Sequence, residues 1–277
     1  MHPPLSELLA TARVVSLPLA VKFRGIWSRE IMLFQGPEGW TEFSPFVEYN
    51  DDEAVHWLRA ALEFGWQPLP KLYRDEIMVN ATVPAVAPDQ VAEVLSHFDG
   101  CRTAKVKVGE PGQLLNEDVE RVREVRRILG PEGRIRVDAN GVWNVDEAEH
   151  AFHALAEFDL EYVEQPCASL EELAELRERT HYMDIPIAAD ESIRKAEDPR
   201  AVAQAVAADV LVLKAQPLGG ISKIVELSEE VSLPIVLSSA LESSVGIAMG
   251  LYAAAAVKEL DYDCGLGTAS LLAGDVT

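Results

Sequence analysis

A chain of 277 residues is long enough for one large barrel beside a small second domain, and 48% hydrophobic with 25% charged residues is a globular composition. The formal net charge of −22 excludes nucleic acid and anionic membrane as partners, since neither approaches a strongly negative field, whereas a local cationic pocket still admits a small carboxylate substrate. Cys101, Cys167 and Cys264 are odd in number, widely spaced and without a CxxC pair, so reduced thiols in a cytoplasmic protein are expected.

The first residues lack a basic region followed by an apolar run, so no signal peptide is expected. Residues 247–257 are apolar but short of the roughly 20 residues that span a bilayer. Residues 13–23 alternate as a strand, residues 30–34 form a second, and Gly36-Pro37-Glu38-Gly39 turns into a third at 40–43. A helix follows at 51–64, capped by Asn50 or Asp51 and carrying Ala54, Leu58, Ala61 and Leu62 on one face. Residues 1–75 therefore read as an α+β domain. Arg24 and Arg29 flank its first connection, as surface cations or as a loop closing over an anionic substrate.

From residue 76 to 277 the pattern changes to strand, helix, strand, helix. Strands are expected at 77–83, 103–108, 135–140, 162–166, 187–192, 210–216, 234–239 and 263–268, with amphipathic helices between most of them. Asp138, Glu164, Asp190 and Lys214 follow one another at intervals of 26, 26 and 24 residues, close to the length of a βαβ unit. Eight such strands predict an α/β fold, a modified TIM-type (β/α)8 barrel.

Side chains alternate along a strand, so Lys105 and Lys107 share a face, and polar groups at the C-terminal strand ends converge on one mouth. Three carboxylates there, Asp138, Glu164 and Asp190, repel unless a cation neutralises them, and an all-oxygen set suits Mg2+ first and Mn2+ next. Lys107 lies nearer the strand end and should reach higher as a base, Lys105 should support from below, and Lys214 should lie opposite. Beside a divalent cation, in a dry pocket, their ammonium groups are expected to have depressed pKa values. Asn140 and Glu191 are candidates for outer contacts of the metal. Ser238, Ser239, Ser243 and Gly265, around a helix start, are candidate anchors for a substrate carboxylate through exposed N–H groups.

Lys-x-Lys on the second barrel strand, Asp, Glu and Asp on the third to fifth, and Lys on the sixth resemble the enolase superfamily, muconate-lactonising subgroup. The resemblance makes the N-terminal lobe a capping domain. A lysine base working with Mg2+ is that superfamily's known device, which spacing alone does not show. Phe23-Arg-Gly-Ile-Trp-Ser-Arg-Glu30, Val79-Asn-Ala-Thr-Val-Pro-Ala85 and Ser238-Ser-Ala-Leu-Glu-Ser-Ser-Val-Gly246 resemble the o-succinylbenzoate synthase family of actinobacteria. That resemblance implies a hydro-lyase acting on 2-succinyl-6-hydroxy-2,4-cyclohexadiene-1-carboxylate, on the route to menaquinone. N-succinylamino-acid racemase, dipeptide epimerase and muconate cycloisomerase share the same lysine and metal set, and monomer or homo-oligomer is left open. The family usually carries a further C-terminal segment packed on the cap; the sequence given stops at Thr277, which leaves open whether the chain is truncated or unusually compact.

Overall fold

The computed structural model describes residues 3–23, 25–195 and 199–276. It opens with α1 (Leu5–Thr11), a helix that the sequence pattern did not announce, since no side chain caps its start. Strands β1 (Arg13–Phe23), β2 (Ile26–Gly36) and β3 (Gly39–Phe43) form an antiparallel sheet in that order. Helix α2 (Asp51–Trp66) starts at a capping box in which Asn50 accepts the Glu53 N–H, and it buries Trp57, Ala60 and Ala61. Small residues bring helix and sheet together: a Cβ on Gly36 would lie 2.0 Å from the Gly65 carbonyl oxygen.

The barrel follows as β4 (Ala81–Val83), α3 (Val91–Leu95), β5 (Thr103–Lys107), α4 (Leu115–Leu129), β6 (Arg134–Asp138), α5 (Val145–Leu155) and β7 (Leu160–Glu164). It continues through α6 (Leu170–Thr180), β8 (Ile187–Ala189), α7 (Glu191–Lys195), α8 (Arg200–Gln204), β9 (Val210–Lys214), α9 (Ala215–Leu218), α10 (Ile221–Glu230), β10 (Ile235–Ser238) and α11 (Ser244–Ala256). The strands β4 to β10 pair in parallel in sequence order.

The eighth strand expected at 263–268 is a correction. Among the described residues only single bridges stand there, Cys264 to Val79 and Gly265 to Ser238. Cys264 donates its N–H to the Met78 carbonyl at 2.7 Å and accepts from Asn80 at 2.9 Å; Gly265 donates to Leu237 at 2.8 Å and accepts from Ser239 at 3.1 Å. These bonds join the first strand to the last, and the chain then turns into a 3-10 helix at Thr268–Leu271. The first barrel strand shrinks likewise, to Ala81–Val83.

Register sets the level of the mouth. Lys107 pairs with Asp138 and Asp138 with Glu164, while Ser238 pairs with Lys214, so five strands end on these residues. The fifth strand ends earlier than expected, at Ala189, so Asp190 comes from the turn and Glu191 opens α7. Below the mouth the barrel is filled by Tyr162, Ala188, Val210, Val212 and Val236. The fully buried Arg136 guanidinium lies 4.9 Å from the Tyr162 ring centre and donates to Asn80 and to the Asp263 carbonyl.

Near the end of the described residues the chain touches the cap and the start of α11. Leu272 bridges Leu19, the Ala273 N–H donates to the Pro18 carbonyl at 2.8 Å, and Asp275 accepts the Ser244 N–H at 3.2 Å. No helix among the described residues is long and apolar enough to cross a membrane.

Candidate active site

The three lysines and three carboxylates meet at the C-terminal mouth of the barrel. From the lower level Lys105 Nζ reaches Glu164 Oε1 at 2.8 Å and Asp138 Oδ2 at 3.2 Å. Lys107 Nζ donates to Asp138 Oδ2 at 2.5 Å and to Asn140 Oδ1 at 2.7 Å. Lys214 pairs with Asp190. Counting the 264–265 bridge as one position in the ring, β5 and β9 stand opposite one another, so Lys107 and Lys214 face each other across the carboxylates. Asn140, in the left-handed conformation at φ 50° that asparagine tolerates, donates its amide to Glu191 Oε1 at 3.1 Å and its backbone N–H to Asp138 Oδ1 at 3.0 Å.

The cavity over these groups is only about 30 Å³, room for about one water molecule. Across Phe23 lies a second pocket of about 200 Å³, walled by Val21, Trp27, Pro84 and Val86 and reaching Lys107 and Asn140. Lys107 is thus the lysine nearer to open space.

The charges at the mouth act on one another. Burial alone would lower the Lys105 pKa, but Glu164 and Asp138 beside it push it well above the ordinary lysine value. The carboxylates packed against it favour its charged form. Asp138 is driven the other way: burial would raise it, yet Lys107 and Lys105 hold it far below the usual carboxylate range. Glu164 is raised, first by burial and then by Asp138, and Lys105 compensates only in part.

Among the described residues the carboxylates do not close on one another into a ready cage, because lysines stand between them. Glu164 Oε2 is nevertheless buried with no hydrogen-bond partner, and its carboxyl is under-compensated by the cations around it. An orphaned oxygen among hard carboxylate donors fits a divalent cation.

The candidate substrate contacts divide. Ser238, Ser239 and Gly265 line the mouth, with Ser239 Oγ bonded to the Gly265 carbonyl at 2.9 Å and to Thr268 Oγ1 at 2.6 Å. Ser243 does not. Its N–H donates to Glu42 Oε2 at 3.1 Å, its hydroxyl donates to the same carboxylate, and the Gly246 N–H joins them at 3.2 Å. The anion at the start of α11 is therefore a carboxylate of the cap itself. Arg24 falls outside the described residues. Arg29 is no lid residue: it lies buried on β2 and donates to the carbonyls of Leu241 and Ser44.

One residue escaped the sequence reading. Gln165 accepts the Asp190 and Ser192 N–H groups at 2.9 and 3.2 Å, and donates to the Cys167 carbonyl and Ser192 Oγ at 2.8 and 2.6 Å. It holds the turn that presents Asp190; its only sequence signal is a polar residue directly after Glu164 on a buried strand.

Family models described as Enolase C-terminal domain-like and Enolase N-terminal domain-like match residues 89–276 and 14–65. The o-succinylbenzoate synthase of Mycobacterium tuberculosis (strain ATCC 25618 / H37Rv) is 56% identical over 275 residues, 99% of this chain and 82% of that protein. The o-succinylbenzoate synthase of Mycobacterium leprae is 55% identical over 277 residues, 100% of this chain and 81% of that protein. Among solved structures, the L-Ala-D/L-Glu epimerase of Bacillus subtilis superposes with a TM-score of 0.81 at 24% identity, over 96% of this chain and 90% of that one. The muconate lactonizing enzyme of Pseudomonas putida gives 0.76 at 20%, over 95% and 88%. These two likenesses concern the fold.

Proposed function

The chain belongs to the enolase superfamily, and on that premise we propose that it catalyses the o-succinylbenzoate synthase reaction, dehydration of 2-succinyl-6-hydroxy-2,4-cyclohexadiene-1-carboxylate to o-succinylbenzoate. The observation that carries the reading is Lys107 and Lys214 on opposite sides of Asp138, Glu164 and Asp190, in a chain 55–56% identical to mycobacterial proteins of that name.

Asp138, Glu164 and Asp190 would hold Mg2+, with Mn2+ as a substitute, and the ion supplies positive charge to a substrate carboxylate as a second negative charge grows on it. Neutral Lys107 removes the ring proton α to that carboxylate: the C–H bond breaks, the proton moves to Nζ, and the electron pair spreads into the carboxylate. The neighbouring C–O bond then breaks. The departing hydroxide takes the proton back from Lys107 and leaves as water, so the lysine ends neutral and the ring aromatic. One group on one face acts first as base and then as acid, which gives syn elimination. Lys214, held by Asp190, stays charged on the other face and stabilises the developing anion. Lys105 keeps Asp138 and Glu164 in place from below. Asn140 positions Lys107, and Glu191 positions Asn140. The hydroxyls of Ser238 and Ser239 and the backbone at Gly265, across the mouth, are the proposed contacts of the substrate's second carboxylate.

The proposed domain boundary lies near residue 75, between the two family-model matches. A step towards menaquinone in the cytoplasm, on a small soluble acid and with neither nucleic acid nor membrane as partner, accords with the net charge of −22 and with the free thiols Cys101, Cys167 and Cys264. The test is incubation with the cyclohexadiene and Mg2+, following aromatisation by ultraviolet absorbance, with a chelated control. Chelator-sensitive conversion is expected. Absence of conversion, together with exchange of the α-proton of N-succinylamino acids or dipeptides in deuterated water, would replace the dehydratase by a racemase or epimerase.

A further inference from the structure

The wall of the mouth opposite the carboxylates is the turn at residues 239–243, of which Ser239, Ala240 and Leu241 line the cavity. Leu241 sits there at φ 64°, a left-handed conformation that costs a leucine roughly 1–2 kcal/mol. Within the turn, the Glu242 carboxylate accepts the Ala240 N–H at 2.6 Å and its own backbone N–H, on either side of Leu241, whose side chain is buried in the core.

The cap adds a second set of contacts to the turn. Arg29, 3% exposed and stacked 4.2 Å from the Phe46 ring centre, donates Nε to the Leu241 carbonyl at 3.2 Å. The same guanidinium is anchored on the Ser44 carbonyl. Glu42 takes the Ser243 N–H and hydroxyl and the Gly246 N–H, and is itself held by Ser44 Oγ at 2.6 Å. Ala240 packs into the buried cap cluster of Phe46 and Trp57. Arg29, Glu42 and the Phe46–Trp57 cluster together hold Ala240, Leu241, Ser243 and Gly246. Neither Arg29 nor Glu42 lines the mouth.

We propose that Arg29 and Glu42 are positioning residues that clamp the left-handed turn at Leu241 and thereby set the shape of the substrate cavity. The clamp fixes how a substrate fits, while the base Lys107 stands on the other side of the barrel. The proposal rests on the mouth being the catalytic site. Its structural half stands independently of which substrate is used.

Two readouts test it. Hydrogen exchange by mass spectrometry on the peptide spanning 239–246 should show lost protection in Arg29→Met, and in Glu42→Gln should Arg29→Met fail to fold, while peptides from α4 to α6 stay protected. Kinetically, Arg29→Met should raise KM about tenfold with kcat nearly unchanged, the signature of lost positioning rather than lost chemistry. Glycine carries no penalty at positive φ, so the KM effect of Arg29→Met should shrink to about twofold in a Leu241→Gly background; a double-mutant cycle separates this from loss of the leucine side chain. Unchanged exchange in both cap variants overturns the clamp. Loosened exchange with unchanged KM overturns its role in shaping the cavity, as does the same KM effect in both backgrounds. A wild-type chain that converts none of the cyclohexadiene refutes the proposed reaction instead, and exchange on 239–246 still decides the clamp.

Discussion

Replacing Lys107 by alanine separates catalysis from folding more cleanly than any other change at the mouth. The side chain contributes one ion pair at 2.5 Å to Asp138, one hydrogen bond at 2.7 Å to Asn140, and a position 5.4 Å from the Phe23 ring. Stranding a buried carboxylate costs about 3–5 kcal/mol when its only partner is removed. Asp138 keeps Lys105 at 3.2 Å, so the loss should be nearer 1–2 kcal/mol, and the barrel should remain folded. Chemistry suffers far more. Loss of a general base slows proton transfer by about 10²–10⁴-fold, or about 3–5 kcal/mol in the barrier, and here the same group also protonates the leaving hydroxide. The assay is ultraviolet-detected dehydration with saturating Mg2+, with thermal melting and Mg2+ titration as controls. Near-normal dehydration by a folded, metal-loaded Lys107→Ala protein would sink the assignment of the base.

Glu164→Gln should weaken Mg2+ binding by more than about a hundredfold, since residues one contact further from a metal already cost 10–100-fold, and calorimetric titration reads it directly; unchanged affinity would remove Glu164 from the site. Glu42 offers a pH test. Burial, then the charge of Glu242, raises its pKa from 4.5 to about 7, against hydrogen bonds from Ser243 and Ser44 and the charge of Arg29. The folded state therefore holds the Glu42 proton more tightly than the unfolded chain does, a contribution fully present below pH 4.5 and lost as pH rises through 7. The stability difference between wild type and Glu42→Gln should accordingly fall by about 3 kcal/mol over that interval and then level off, measured by urea unfolding; a difference that is flat or rises refutes it. Gly265→Ala should destabilise by about 1–3 kcal/mol, because the added Cβ would meet Ser238 Oγ at 2.6 Å where the ring is closed by backbone bonds, and an unchanged melting midpoint would contradict that.

Much of this protein is determined locally. Period-2 alternation and βαβ unit length are properties of short stretches, so the pattern along the chain places Lys107, Asp138, Glu164 and Lys214 at strand ends with Lys105 two residues lower, and β5, β6, β7 and β9 end on those four residues. The cap sheet and α2 were visible for the same reason, with Asn50 as a side-chain cap; α1 had no such signal. Tertiary structure decided the rest. The count of eight barrel strands predicts a full strand at 263–268, but closure is made by isolated bridges at Cys264 and Gly265, and only the folded ring shows that single contacts suffice there. The helix start at Ser243 signalled an anion, but only the fold shows that Glu42, 201 positions away, supplies it, just as it sets Arg29 on Leu241 across 212 positions. The charge state of Lys105 depends on which groups lie within a few ångströms of it. A pattern along the chain records which face a side chain takes; which partner it meets there depends on how the barrel closes and how the cap sits on it.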